Sequence, residues 1–105
     1  MESTAYVGEC PACAGPLRQA AEPQTVECSE RGHTFTVPEL EHDQAQAVRR
    51  ALWSAEKALN SQALGLQLIG ESAGVDHGPT IQRLREDAEV VRGLARRWDG
   101  LVADR

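Results

Sequence analysis

Aromatic side chains are scarce in this chain of 105 residues: Tyr6, Phe35, Trp53 and Trp98 are the whole set. A large core is therefore excluded, and packing must lean on Leu, Val, Ile and Ala. Positive charge is also short. The chain has 11 basic and 16 acidic side chains, a net charge of −5. Residues 1–37 hold only Arg18 and Arg31 against five glutamates, a balance of −3, and residues 38–105 contribute −2. Such a chain repels phosphate backbones, so direct nucleic-acid binding is not expected. Long apolar runs are missing, which excludes a membrane span. The N-terminus lacks a basic segment followed by an apolar one, so no secretory signal is expected. Cysteine is limited to three residues, an odd number that cannot close into a disulfide framework.

A metal ion uses all three. Cys10-Pro11-Ala12-Cys13 is a tight turn whose two thiolates can face one ion, and Cys28 and His33 supply two further corners of a tetrahedron. These four residues are expected to hold a structural zinc ion, and reduced, metal-bound cysteines point to the cytoplasm. Small modules with little core need such a staple. The Cys-Pro-x-Cys turn also occurs in thioredoxin-like redox enzymes, where a helix starts at the first cysteine. Here Gly15-Pro16 breaks any such helix. His42, or Glu30, is an alternative fourth ligand should the second turn be distorted. Otherwise His42 and His77 read as solvent-facing or capping residues.

Residues 1–9 carry no pattern and read as a frayed lead-in, with Tyr6 and Val7 available to pack on the metal module. Gly15 is expected to let the chain leave the first turn with positive φ. Residues 16–20 and 24–28 read as two short strands joined at Ala21-Glu22-Pro23, followed by Gly32 as the flexible point of the second turn. Phe35 is placed to cover the metal site. Thr36 and Glu39 have the spacing of a capping box, with Pro38 tolerated in the first turn of a helix.

Beyond that cap the period becomes helical. Val48, Leu52, Ala55, Leu59, Gln62, Leu66 and Ile69 form one seam, with Arg49, Arg50, Glu56 and Lys57 off it as solvated positions. Gly70 and Gly74 bracket a stop. Asp76-His77-Gly78-Pro79 reads as the turn into a second helix, whose seam is Ile81, Leu84, Ala88, Val91, Ala95, Trp98 and Val102. Val90, Leu94 and Leu101 widen that second seam. Arg92, Arg96 and Arg97 suit the negative end of a helix dipole. Helices over about 39–70 and 79–99 would run about 48 Å and 30 Å at about 1.5 Å per residue. The expected fold is mainly α: a small zinc ribbon with a short β-hairpin over 1–37, then an antiparallel α-helical hairpin over 38–105.

Three groups of residues together resemble a known family. They are Cys10 and Cys13 with Gly15 and Leu17; then Cys28, Gly32-His33, Phe35 and Pro38-Glu39-Leu40; then Ala51-Leu52-Trp53 in a long helix. This series is similar to the C-terminal extension found on some chemotaxis-type protein-glutamate methylesterases, and the similarity runs from Cys10 to about Trp98. That family typically has three residues between the last cysteine and the histidine; here there are four, and Val37 is an extra residue before the proline. The methylesterase catalytic domain has no counterpart, so the resemblance implies an accessory, protein-binding module and not esterase activity.

No set of His, Ser and carboxylate residues converges on a recognisable catalytic site, so the chain is not expected to be an enzyme. Two helices with wide apolar seams are short of burial partners. The expectation is a homodimer forming a four-helix bundle, or a complex with another protein through the Trp53 side of the first helix. The favoured role is a signalling adaptor in a chemotaxis-like or two-component system. The second is a transcription-related regulator contacting RNA polymerase or a DNA-binding protein.

Overall fold

The computed structural model describes residues 6–103. Four strands lead into two helices: β1 (Tyr6–Glu9), β2 (Pro16–Gln19), β3 (Thr25–Cys28), β4 (Thr34–Thr36), α1 (Val37–Ala73) and α2 (Gly78–Ala103). The expected ribbon followed by an antiparallel helical hairpin is thus observed, with two strands more than a single hairpin. The lead-in is not frayed from Tyr6 onward, because those residues pair antiparallel with β2. Its first five residues lie outside the described ones. Tyr6 and Val7 are exposed, not packed on the module.

Two compact units, Met1–Ala47 and Val48–Arg105, divide inside α1. In the first, the sheet runs in the order β1-β2-β3-β4 with antiparallel neighbours. Leu17 lies opposite Cys28 and Val26 opposite Phe35. These four and Cys10 form the core, with Cys13 and Leu40 against it. The sequence alternation selects this face: Val26 and Cys28 are buried while Glu27 between them is exposed. The capping box forms as its spacing requires. The Thr36 backbone N–H donates to Glu39 Oε1 at 2.9 Å, and the Glu39 N–H donates to Thr36 Oγ1 at 3.3 Å.

In the second unit, Val48–Ala73 of α1 packs along α2 in antiparallel fashion. Arg49 meets Asp99 at 2.6 Å, Arg92 meets Glu56 at 2.8 Å, and Arg85 donates to Gln67 at 2.9 Å. Ala63, Ala88 and Ala95 are buried where the helices meet. The α2 seam is observed in full, each of its residues being buried or half-buried. The α1 seam is rotated from the expected one. Leu52, Leu59 and Leu66 do turn inward, but Val48, Ala55, Gln62 and Ile69 are exposed. Their places are taken by Arg49, Glu56, Ala63 and Gly70. Arg49 and Glu56 are therefore not free solvated positions. Arg92 makes a cross-helix ion pair, and because α2 continues to Ala103 with no basic residue in its last turn, Arg92, Arg96 and Arg97 do not sit at the dipole's negative end as expected.

The α1 terminus is a Schellman-type cap. Gly74 takes φ +71 and the Val75 N–H donates to the Gly70 carbonyl at 3.0 Å. At the start of α2, Asp76 Oδ1 accepts from the Gly78 N–H at 2.8 Å.

Near the far end, Asp99 Oδ1 accepts from Arg49 Nε and, at 3.1 Å, from the Trp53 indole N–H. The Trp53 bond, then the Arg49 bond, hold this carboxyl below its usual range. A carboxylate with a lowered folded-state pKa stabilises the fold above its ordinary value, and that contribution is lost as pH falls through the folded value. Asp99→Asn is therefore expected to flatten the acid limb of helical unfolding below about pH 4, read by circular dichroism. An unchanged acid limb would count against this role for Asp99.

Candidate metal centre

Two turns of the same backbone form build the site. In the first, the Cys10 carbonyl accepts from the Ala14 N–H at 2.7 Å and the Cys10 N–H donates to the Gly15 carbonyl at 2.7 Å. In the second, the Cys28 carbonyl accepts from the Gly32 N–H at 2.9 Å and the Cys28 N–H donates to the His33 carbonyl at 2.7 Å. Each turn has its left-handed residue at the same place, Ala14 with φ 66 and Gly32 with φ 74. This match explains the unequal spacing. The second ligand of the first turn is Cys13, inside it; that of the second is His33, at the place Gly15 holds in the first. The longer imidazole reaches the site from the turn's exit. The extra residue between Cys28 and His33 is part of the turn and not a distortion.

Positive φ was expected at Gly15 but falls on Ala14. Gly15 is needed for space: a Cβ there would stand 3.1 Å from Cys28 Sγ and 3.4 Å from Cys13 Sγ. Ala14 carries a left-handed backbone at a cost of about 1 kcal/mol for an L-residue. Ala14→Gly is therefore expected to raise ribbon stability by about 0.5–1 kcal/mol, and Gly32→Ala to lower it by a similar amount. Thermal melting of the metal-loaded protein, followed on strand amides, measures both. Shifts of equal sign would refute the pairing of the two turns.

The four ligand atoms of Cys10, Cys13, Cys28 and His33 all lie within 4.8 Å of one another. Cys10 Sγ is 3.5 Å from His33 Nδ1, and Cys13 Sγ is 3.4 Å from Cys28 Sγ. A tetrahedral zinc with bonds of about 2.3 Å to sulfur and about 2.0 Å to nitrogen has edges of roughly 3.5–3.8 Å. These distances fit that size, and 3.4 Å is far beyond the roughly 2.05 Å of a disulfide. All three cysteines are free. The group can hold a metal ion.

Cys10 and Cys28 are buried; Cys13 and His33 are half-buried. The Arg31 backbone N–H approaches Cys28 Sγ at 3.4 Å. That bond leads the causes that bring the Cys28 thiol down to about 6, so its thiolate is available near neutral pH. For Cys13, the Gly15 backbone bond pulls the thiol down. The Cys28 and Cys10 sulfurs and burial outweigh it, leaving the thiol raised.

The remaining sequence candidates fall elsewhere. Among the described residues, His42, His77 and Glu30 are not in the ligand group. His77 caps instead, its carbonyl accepting from the Ile81 N–H at 2.9 Å. Trp53 is half-buried with its indole N–H engaged by Asp99.

With no methylesterase domain, no Gly-x-Ser-x-Gly run is expected, yet the chain contains one. Gly70-Glu71-Ser72-Ala73-Gly74 has the letters of the Gly-x-Ser-x-Gly nucleophile elbow. An elbow needs a sharp strand-to-helix turn, whereas Gly70 to Ala73 are the last residues of α1, and Ser72 is exposed. Ser72 also does not line the cleft beside it, which Gly70, Glu71, Asp76 and His77 border.

Comparison with family models, curated proteins and solved structures finds no match to this chain. Among the described residues, no helix is long and apolar enough to cross a membrane.

Proposed function

We propose that this chain is a non-enzymatic zinc-binding module that acts by binding protein, as a cytoplasmic signalling adaptor of the chemotaxis or two-component kind. The observation that carries the zinc reading is the convergence of three sulfurs and one imidazole nitrogen within 4.8 Å. Soft thiolates with imidazole favour zinc over magnesium, calcium or manganese. With four protein ligands the tetrahedron is closed, which is the pattern of a structural and not a catalytic site. The adaptor role draws on the similarity of the Cys10–Trp98 region to methylesterase extensions and on the acidic balance of −5, which disfavours nucleic acid.

Two measurements test this. Elemental analysis of purified protein is expected to find one zinc per chain, with His33→Ala losing it and His42→Ala retaining it. Metal-free protein carrying a reversible Cys10–Cys13 disulfide would overturn the zinc reading in favour of redox chemistry. Affinity purification from native cells is expected to recover a receptor-array or phosphorelay component. Recovery of polymerase or a DNA-binding regulator would move the role to transcription. Turnover of a protein methyl ester would make the chain an enzyme after all.

A further inference from the structure

The three sulfurs of the metal group differ in exposure and in their neighbours. Cys10 and Cys28 are 2% and 1% exposed, whereas Cys13 is half-buried. Thiolates are the reacting form of cysteine and access decides which one reacts, so a dissolved oxidant meets Cys13 first. The Cys13 sulfur lies 3.4 Å from Cys28 Sγ, while Cys10 Sγ faces His33 Nδ1 at 3.5 Å. Closing the Cys13–Cys28 pair to a disulfide's length of about 2.05 Å needs an approach of only about 1.4 Å. A Cβ at position 15 would lie against both of these sulfurs, so glycine there leaves them room to move together. The four ligands also divide by strand. Cys28 ends β3 and Cys13 stands just before β2, the two inner strands of the sheet. Cys10 follows directly on β1 and His33 directly precedes β4, the two outer strands.

We propose that Cys13 is an oxidation site for hydroperoxides, and that its pairing with Cys28 releases the metal and frees the outer strands. With hydrogen peroxide, the Cys13 thiolate attacks one peroxide oxygen. The O–O bond breaks, an S–O bond forms, and hydroxide leaves. The Cys28 thiolate then attacks the Cys13 sulfur, forming the S–S bond and expelling a second hydroxide. Two electrons pass from the two sulfurs to the peroxide. Cys10 and His33 remain as ligands, and two ligands cannot hold an ion whose closed site needs four. The new bond closes a loop over β2 and β3, so oxidation keeps the inner strands tied where chelation unties all four. This inference rests on the zinc-binding reading above. It adds a control of that site, in which peroxide exchanges a metal clamp for a covalent one.

The unaltered full chain, loaded with zinc and freed of reductant, is treated with a small excess of hydrogen peroxide while a weak chromogenic chelator reads free zinc against an untreated control. Complete loss of the bound zinc is expected. Peptide mapping should find a single disulfide joining Cys13 to Cys28, with Cys10 left as the one thiol open to alkylation. A dithiol reductant with added zinc should restore the starting state. Amide exchange should rise more at Phe35 in β4 than at Val26 in β3, whereas chelation should raise both alike. Zinc that stays bound, a disulfide that includes Cys10, or Cys13 carried on to a sulfinic acid without pairing would each overturn the inference and leave the zinc reading standing. Equal exchange at Phe35 and Val26 after oxidation would overturn the freeing of the outer strands. Reduced protein that carries no zinc before the oxidant is added would sink the zinc reading, and this inference with it.

Discussion

Removing the metal with a strong chelator is expected to abolish the sheet of residues 6–36 while the paired helices of residues 48–103 remain folded. Among the described residues, the first unit buries Leu17, Val26 and Phe35 as its only large apolar side chains. Three such side chains cannot offset the entropy of ordering four strands and two turns. Binding energies for structural zinc in small modules reach about 10–16 kcal/mol near neutral pH, so occupancy of the site outweighs the burial of those side chains. Ligand loss should act in the same way. Cys28→Ser removes a buried sulfur that the Arg31 N–H supports, and zinc affinity is expected to fall at least about a hundredfold. The helices are held by their own contacts, among them the buried Ala63, Ala88 and Ala95. Amide spectra recorded during chelator titration separate the two outcomes. Strand resonances of Leu17, Val26 and Phe35 should collapse together while those around Ala63 and Ala95 persist. Strand resonances unmoved by chelation would falsify the metal as the staple of this unit.

Gly70→Ala is expected to destabilise the helical hairpin by about 1–3 kcal/mol, the range for forcing an extra carbon into a packed site. A Cβ at Gly70 would stand 2.6 Å from the Val75 carbonyl oxygen, a backbone atom, and 3.3 Å from the His77 ring. Relief requires moving the turn that carries both the Val75–Gly70 bond and the first bond of α2. The gain from alanine's helix propensity, about 1 kcal/mol, opposes but does not cancel this. Gly93→Ala is the control of opposite sign. Nothing lies within 4 Å of its added carbon, so it should stabilise α2 by about 1 kcal/mol. At roughly 4–8 °C per kcal/mol, the two variants should melt on opposite sides of the unaltered protein. A Gly70→Ala protein that melts no lower would show that the turn relaxes freely.

Side-chain chemistry local to a few residues could be read directly. Cys10, Cys13, Cys28 and His33 announce themselves because few other arrangements use that spacing. Thr36 and Glu39 cap α1 through bonds spanning three residues, and the second seam lies on a helix whose apolar side is unambiguous. Partner-dependent features could not be read. Strand β1 is short and exposed, and its identity comes from β2 beside it. The first seam was misplaced for a related reason. Periodicity locates the apolar arc of α1, but that arc is wider than one neighbouring helix can cover. Asp99 and Arg92 on α2 decide which part turns inward, by engaging Trp53, Arg49 and Glu56.

Sequence alone determined which four residues form the candidate metal-holding group and the order of ribbon and helices; the helices themselves run longer than expected, Val37–Ala73 and Gly78–Ala103 against 39–70 and 79–99. The group and the order rest on residues near one another in the chain, or on thiolates that few other groups can replace. Tertiary structure decided the inward face of α1 and the spatial need for Gly15 and Gly70. Those depend on which atoms approach across the fold, and close approach between distant segments leaves no mark in the spacing of either.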